Sequence, residues 1–237
     1  GTGIGRLTAR LAARAAAVVT VEIDRGLAEL ARGRLAGRHN IVLLHTDFLE
    51  AKHRINPDVT AELERVRGGR PVKVVSNLPY QISSPAIVNI LEWSIPVSEL
   101  DVMLQAEVVE RLAAEPATPD YGPISVIAAY WSRMERLFRA GPHAFWPQPA
   151  VSSEFVRIVP RQPRVWARDY GAFASAVSGL FQCRRKSLAA ALRIGWGTTA
   201  AQAVLEATGL DRDQRPDTLR TNLLFMGESN HGLYFRA

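Results

Sequence analysis

The sequence predicts an α/β protein, with a doubly wound sheet over residues 1–160 and a small, basic, all-helical domain over residues 161–237. Three observations lead there. Short runs rich in Val, Ile and Leu alternate with amphipathic stretches, the order that builds a sheet covered on both faces. Glycines, acids and a proline–aromatic segment fall where those runs end, and open α/β sheets bind ligands at that end. Beyond Pro160 the strand signal stops while helical periodicity continues, and Pro160 and Pro163 mark a linker.

Composition bounds the function. At 237 residues the chain can bury one substantial core with a smaller appended domain, and 47% hydrophobic with 22% charged residues is an ordinary globular balance. No apolar run reaches the roughly 18 residues of a membrane span, so no membrane partner is expected. The single Cys183 makes no internal disulfide and has no Cys or His neighbour at metal-ligand spacing. No metal site is expected, and the setting expected is reducing and cytoplasmic. Net charge is +6, carried mostly by the tail: residues 1–160 hold 18 Lys and Arg against 17 Asp and Glu, residues 161–237 hold 11 against 6. A basic excess in one region suits a polyanionic partner.

The chain opens on Gly1-Thr2-Gly3-Ile4-Gly5, a glycine loop of the kind that follows a central strand and approaches nucleosides. No strand precedes it, so the expectation is a sheet whose first strand is missing from this chain. Leu7, Leu11 and the alanines to Ala17 predict a helix with Arg6, Arg10 and Arg14 on a solvated face. Val18 to Ile23 predicts a strand ending in Glu22 and Asp24, about twenty residues past the loop, which places Glu22 to accept hydrogen bonds from ribose hydroxyls. Leu27 to Leu35 predicts a helix, and Ile41 to Leu44 a strand with Asp47 and Phe48 at its tip. Asp47 is a candidate acceptor for an adenine amine with Phe48 packed on the ring; the alternative is a cap for the following turn. His45 reads as structural.

Residues 57–66 predict a short helix before the Gly68-Gly69 turn. Val74-Val75-Ser76-Asn77-Leu78-Pro79-Tyr80 then reads as a buried strand opening into a rigid loop. Pro79 removes one donor and fixes its own φ, so the Asn77 side-chain oxygen and the Leu78 carbonyl can both point outward beside the ring of Tyr80. Two acceptors and a flat ring suit a planar base bearing an exocyclic amine; a proline-stopped strand with a core tyrosine is the alternative. A cap and first-turn proline at Ser83-Ser84-Pro85, a strand over Leu100 to Leu104 and a helix over Gln105 to Ala114 continue the alternation. A further helix runs to Trp131, and a strand lies near Leu137. Pro142-His143-Ala144-Phe145-Trp146-Pro147-Gln148-Pro149 is a proline-stiffened loop in which Phe145 is either a second plate opposite Tyr80 or a core ring. Phe155 to Val159 closes the sheet. Helices are predicted over 169–180, 184–193 and 199–207, with Leu219 to Phe225 ending the pattern. Arg184-Arg185-Lys186 is expected to open one of these helices, where its charge opposes the macrodipole and a polyanion would compensate.

Together these stretches resemble the ribosomal RNA adenine N6-dimethyltransferase family that acts on small-subunit rRNA. The resemblance rests on Gly1 to Thr8, Val21 to Asp24, Asn77 to Ser83, Met103 to Val109, Tyr121-Gly122, Ala144 to Pro149 and Phe181 to Lys186, in the family's order along nearly the whole chain. It implies S-adenosylmethionine as methyl donor, a Rossmann-like methyltransferase domain over residues 1–160, a helical C-terminal domain, and ribosomal RNA or a small-subunit precursor as partner; separately, a monomer is expected. Carried over by position, Gly1 and Gly3 approach the cofactor backbone, Glu22 the ribose with Ile23 beside it, and Asp47 and Phe48 the adenine. Asn77 and the Leu78 carbonyl hold the target amine, with Asn77 also bordering the cofactor, while Tyr80 and Phe145 flank the base. Arg184, Arg185 and Lys186 face RNA. Thr2 stands where the family has proline, and the segment that covers the cofactor is not in the chain. Three other readings compete: a dinucleotide-dependent oxidoreductase, which leaves Asn-Leu-Pro-Tyr without a purpose, an RNA-binding assembly factor or inactive fragment without transfer activity, and a large-subunit rRNA methyltransferase of the antibiotic-resistance type.

Overall fold

In the computed structural model, residues 1–162, 167 and 169–219 are described in full, and 226–229 and 232–235 by their backbone. Pro163 and residues 220–225 lie outside the described residues, so neither that half of the linker nor the expected end of the pattern beyond Leu219 is placed.

The glycine loop turns through Gly5, at φ 78°, into α1 (Arg6–Ala12). That helix stops at Ala12, short of the expected Ala17, because Asn40 Nδ2 donates to the carbonyls of Ala12 and Ala15 at 2.8 and 2.9 Å. A distant side chain thus takes over the carbonyls that a longer helix would use. β1 (Val18–Glu22) follows, then α2 (Arg25–Leu35), whose first turn is capped by Asp24 accepting from Leu27 N at 2.8 Å. β2 (Ile41–His45) returns parallel to β1 with Glu22 opposite His45. A short hairpin of β3 (Leu49–Ala51) and β4 (Arg54–Ile55), absent from the sequence reading, leads to α3 (Pro57–Arg67), closed by Gly68 at φ 57°.

β5 (Val72–Asn77), α4 (Ser83–Leu91) and β6 (Val97–Gln105) form a second parallel unit. After α5 (Ala106–Ala113) and α6 (Pro123–Trp131) come β7 (Ser132–Ala140) and β8 (Ser153–Pro160). The sheet order is β5-β6-β8-β7, with β8 antiparallel to β6, and its core joins Leu100, Val102 and Leu104 to Val156 and Ile158. Ile87 and Ile90 of α4 are buried with them. Among the described residues, β1–β2 is a ladder of its own that does not pair with β5. The expected doubly wound sheet is therefore present in two pieces.

The chain divides into two compact units, residues 1–106 with 134–160, and residues 107–133 with 161–237. Residues 107–133 thus group with the tail, not with the stretch before residue 160 as the sequence order groups them. The second unit is built on α5, α6, α7 (Tyr170–Gln182) and α8 (Leu188–Thr208). Tyr121, fully buried, donates from its hydroxyl to Leu219 O at 2.9 Å and packs edge-on against Phe181. The two helices expected over 184–193 and 199–207 are one element with a break at Gly197, at φ 83° and ψ 170°. An antiparallel pair, β9 (Met226–Ser229) and β10 (Gly232–Phe235), adds strands to a region expected to be all helical. No helix among the described residues is long and apolar enough to cross a membrane.

Candidate active site

The donor half of the site gathers at the tips of β1 and β2. Thr2 N donates to Val21 O at 2.9 Å, which lays the glycine loop along β1. Three hydroxyls pin it further: Thr2 Oγ1 lies 2.7 Å from Thr20 Oγ1, and Thr8 Oγ1 lies 3.2 Å from the same atom. Both Thr2 contacts, through its N–H and its hydroxyl, are ones that the family's proline cannot make.

Glu22 is only 5% exposed. Its Oε2 accepts from Gly3 N at 2.7 Å and its Oε1 from Asp24 N at 3.1 Å. The carboxylate thus braces the loop, and each oxygen keeps a second lone pair for a further donor. Gly3 has φ 54°, and a side chain built on it would meet nothing within 4 Å, so the space over the loop is open. Ile23, 64% exposed at the strand tip, offers an apolar plate beside that space. Asp47 is exposed one strand away; its Oδ1 accepts from Leu49 N at 3.1 Å, the turn-capping alternative, and Oδ2 is open among the described residues. Phe48 is half-buried and meets Trp93 edge-on, ring centres 6.3 Å apart. Open space over a braced glycine loop, two carboxylates and an exposed apolar residue fit a nucleoside carrying ribose hydroxyls and an adenine amine.

The acceptor half lies at the tip of β5. Leu78 is 6% exposed and donates its N–H to Met103 O at 3.3 Å, which holds the strand end in place with the apolar side chain inward. Among the described residues, neither the Leu78 carbonyl nor the exposed Asn77 carboxamide has a hydrogen-bond partner, so both acceptor oxygens are open. Tyr80 starts a short 3-10 turn (Tyr80–Ile82), and its hydroxyl lies 3.0 Å from Ser153 Oγ at the start of β8. Ser153 is fully buried, so the Tyr80 ring is fixed at its far end. The loop before β8 opens with a tight turn and is tied at its far end. Phe145 N donates to Pro142 O at 3.2 Å, and Ser152 O accepts from Ala106 N at 3.0 Å. Phe145 is half-buried and touches no other described ring, Tyr80 included; Trp146 beside it faces solvent. Ser153 was not legible as a functional residue, because its partner lies 73 positions away.

Arg184, Arg185 and Lys186 are exposed in the turn between α7 and α8. They do not open a helix: Ser187 caps α8 by accepting from Ala190 N at 3.4 Å. The cluster instead follows the carbonyl end of α7, where cations are favoured, so the macrodipole gives no reason for a polyanion. Arg184 Nη1 donates to Pro119 O at 3.2 Å; Arg185 and Lys186 make no ion pair with a described residue.

The fold defines a class, the Rossmann-like methyltransferases that use S-adenosylmethionine. A sequence profile described as ribosomal RNA adenine dimethylase matches residues 1–226. The chain is 36% identical over 223 residues to the ribosomal RNA small subunit methyltransferase A of Alkaliphilus oremlandii, covering 92% of this chain and 76% of that protein. It is 38% identical over 225 residues to the protein of the same name from Levilactobacillus brevis, covering 92% and 74%. The chain belongs to the ribosomal RNA adenine dimethylase family. Among solved structures, a dimethyladenosine transferase from Plasmodium falciparum shares the fold with a TM-score of 0.74 at 21% identity, covering 94% of this chain and 85% of that one. The 23S rRNA methyltransferase ErmE follows at 0.63 and 26% identity, covering 93% and 84%.

Proposed function

We propose that this chain dimethylates the N6 amine of adenines in 16S-type, small-subunit ribosomal RNA during ribosome assembly, as a cytoplasmic monomer. Gly1, Gly3, Glu22, Ile23, Asp47, Phe48 and Asn77 would hold the cofactor. When bound, S-adenosylmethionine supplies an electrophilic methyl group whose leaving group is a neutral thioether. The observation that carries the reading is the pair of acceptors at Asn77 and Leu78, open among the described residues, at the same strand tip as the tyrosine fixed by Ser153.

The adenine N6 amine is a weak nucleophile because its lone pair is delocalised into the ring. Hydrogen bonds from its two N–H groups to Asn77 Oδ1 and Leu78 O favour a pyramidal nitrogen and stabilise the positive charge that develops there until one proton is lost to water after transfer. Holding that nitrogen in line for attack lowers the entropic part of the barrier. Tyr80 and Phe145 stack on the flipped base, and roughly 1–3 kcal/mol per stacked ring is the size needed to offset unstacking. The reading places the chemistry in residues 1–160 and the phosphate contacts of Arg184, Arg185 and Lys186 in residues 161–237.

The test is methyl transfer from labelled S-adenosylmethionine to separated small- and large-subunit precursors. Label recovered as dimethyladenine in small-subunit RNA supports the reading. Label confined to large-subunit RNA would assign the chain to the resistance type, and binding of RNA without transfer would leave it an assembly factor.

A further inference from the structure

Trp146 is 95% exposed, in the loop between β7 and β8, which turns tightly at residues 142–145 and is tied at Ser152 to Ala106. Its neighbour Phe145 has φ −122° and ψ 152°, an extended backbone in which successive side chains leave on opposite sides. Phe145 therefore turns inward and Trp146 outward from adjacent Cα atoms about 3.8 Å apart. Just past the loop, Glu154 near the start of β8 is buried between the guanidiniums of Arg136 and Arg139 on β7. Arg136 holds it through Nε and Nη2 at 2.8 and 2.9 Å; Arg139 stands off at 4.0 Å with its side chain 63% exposed. Arg136 makes the close pair, so the exposed Arg139 guanidinium presents its charge to solvent. Exposed His143 lies in the same loop.

We propose that Trp146 and Arg139 form a binding site for the nucleotide adjacent to the target adenine, the indole stacking on its base and the guanidinium meeting its phosphate. Two rings on consecutive residues, one inward and one outward, suit two successive nucleotides splayed apart, one flipped in and one left outside. Stacking on an aromatic face is tolerant of base identity, so Trp146 positions the strand and does not read its sequence. An indole this exposed on a stiff loop also keeps its low ordering cost when the base arrives. The inference rests on the reading of Phe145 as a plate for the flipped base.

The test uses a small-subunit RNA fragment with 2-aminopurine in turn on each side of the target adenine, bound by the protein and by Trp146→Ala and Trp146→Phe. In one of the two positions the parent should quench the fluorescent base, Trp146→Phe should keep most of the quenching, and Trp146→Ala should lose it. KM for RNA should rise roughly 10-fold in Trp146→Ala with kcat and S-adenosylhomocysteine affinity unchanged. Arg139→Gln should lower the salt slope of RNA binding by about 1. Methyl transfer by the parent is followed in the same samples. Transfer with quenching and KM unaltered in Trp146→Ala overturns this inference and leaves the proposed function standing, whereas no transfer by the parent to any adenine overturns both.

Discussion

The hydroxyl of Tyr80 lies 3.0 Å from the Oγ of Ser153, tying the loop after β5 to the first residue of β8. Because Ser153 is fully buried, Tyr80→Phe leaves its hydroxyl without this partner. Urea unfolding should report a loss of about 1–3 kcal/mol. Base capture should change little, since the ring remains. Tyr80→Ala should weaken capture of a fluorescent adenine analogue, and a double-mutant cycle with Ser153→Ala should return a coupling energy of about 1 kcal/mol.

Asn77→Ala removes one of the two open acceptors without touching the fold, because the Asn77 carboxamide bonds to no described residue. Single-turnover transfer should slow by roughly 10²–10³-fold, the usual cost of one preorganised group facing developing charge. RNA affinity, measured by filter binding, should stay nearly unchanged. Equal loss of rate and affinity would make Asn77 a binding residue only.

Glu22→Gln keeps one acceptor oxygen where two are used, so the N–H of Gly3 or of Asp24 must face an amide that also donates. Stability should fall by about 1–3 kcal/mol. Calorimetry should show S-adenosylhomocysteine binding weakened by at least about 10-fold, because the loop and the ribose contact depend on the same carboxylate. Full affinity in the variant would remove Glu22 from the cofactor site.

Arg157 binds Asp101 through Nε and Nη2 at 2.8 and 3.0 Å across the β6–β8 ladder. The hydrogen bond from Arg157, ahead of its charge, holds the Asp101 carboxyl below its usual range. A folded-state pKa below the unfolded one stabilises the protein above the unfolded value, about 3.9, and that share is lost as pH falls through the folded value. Unfolding midpoints of the parent should therefore drop as pH is lowered below about 4. Asp101→Asn should be less stable near neutral pH and should meet the parent at the acid end. Parallel curves would remove this pair from the acid limb.

Replacing Arg184, Arg185 and Lys186 with glutamine should lower the slope of log affinity against log salt by about 2 if they meet RNA phosphates. Methyl transfer to free adenosine should not change. Since Arg184 also donates to Pro119 O, its single replacement should cost a little stability that the other two do not.

Much of the fold was legible because apolar runs and caps act over a few residues. Val18 to Glu22, Ile41 to His45 and Val72 to Asn77 are strands where the β-branched runs lie, and Ser187 and Asp24 cap helices by bonds three residues long. Two misplacements had long-range causes. Asn40 ended α1 from a position 28 residues beyond Ala12. The grouping of residues 107–133 with the tail depends on contacts such as Tyr121 with Leu219, 98 positions apart. The basic cluster was misplaced by one local signal read the wrong way: Ser187 behind it is the cap, so the cations lie outside the helix.

By itself the sequence determined which chemistry the chain carries: a glycine loop, an acid at a strand tip and Asn-Leu-Pro-Tyr occur in an order that only side-chain identity and local spacing can encode. Tertiary structure alone decided how those groups are held. The bracing of Gly3 by Glu22, the fixing of Tyr80 by Ser153 and the outward turn of Trp146 join or orient residues through packing and strand pairing. Such contacts close only when distant segments meet, so no local pattern along the chain announces them.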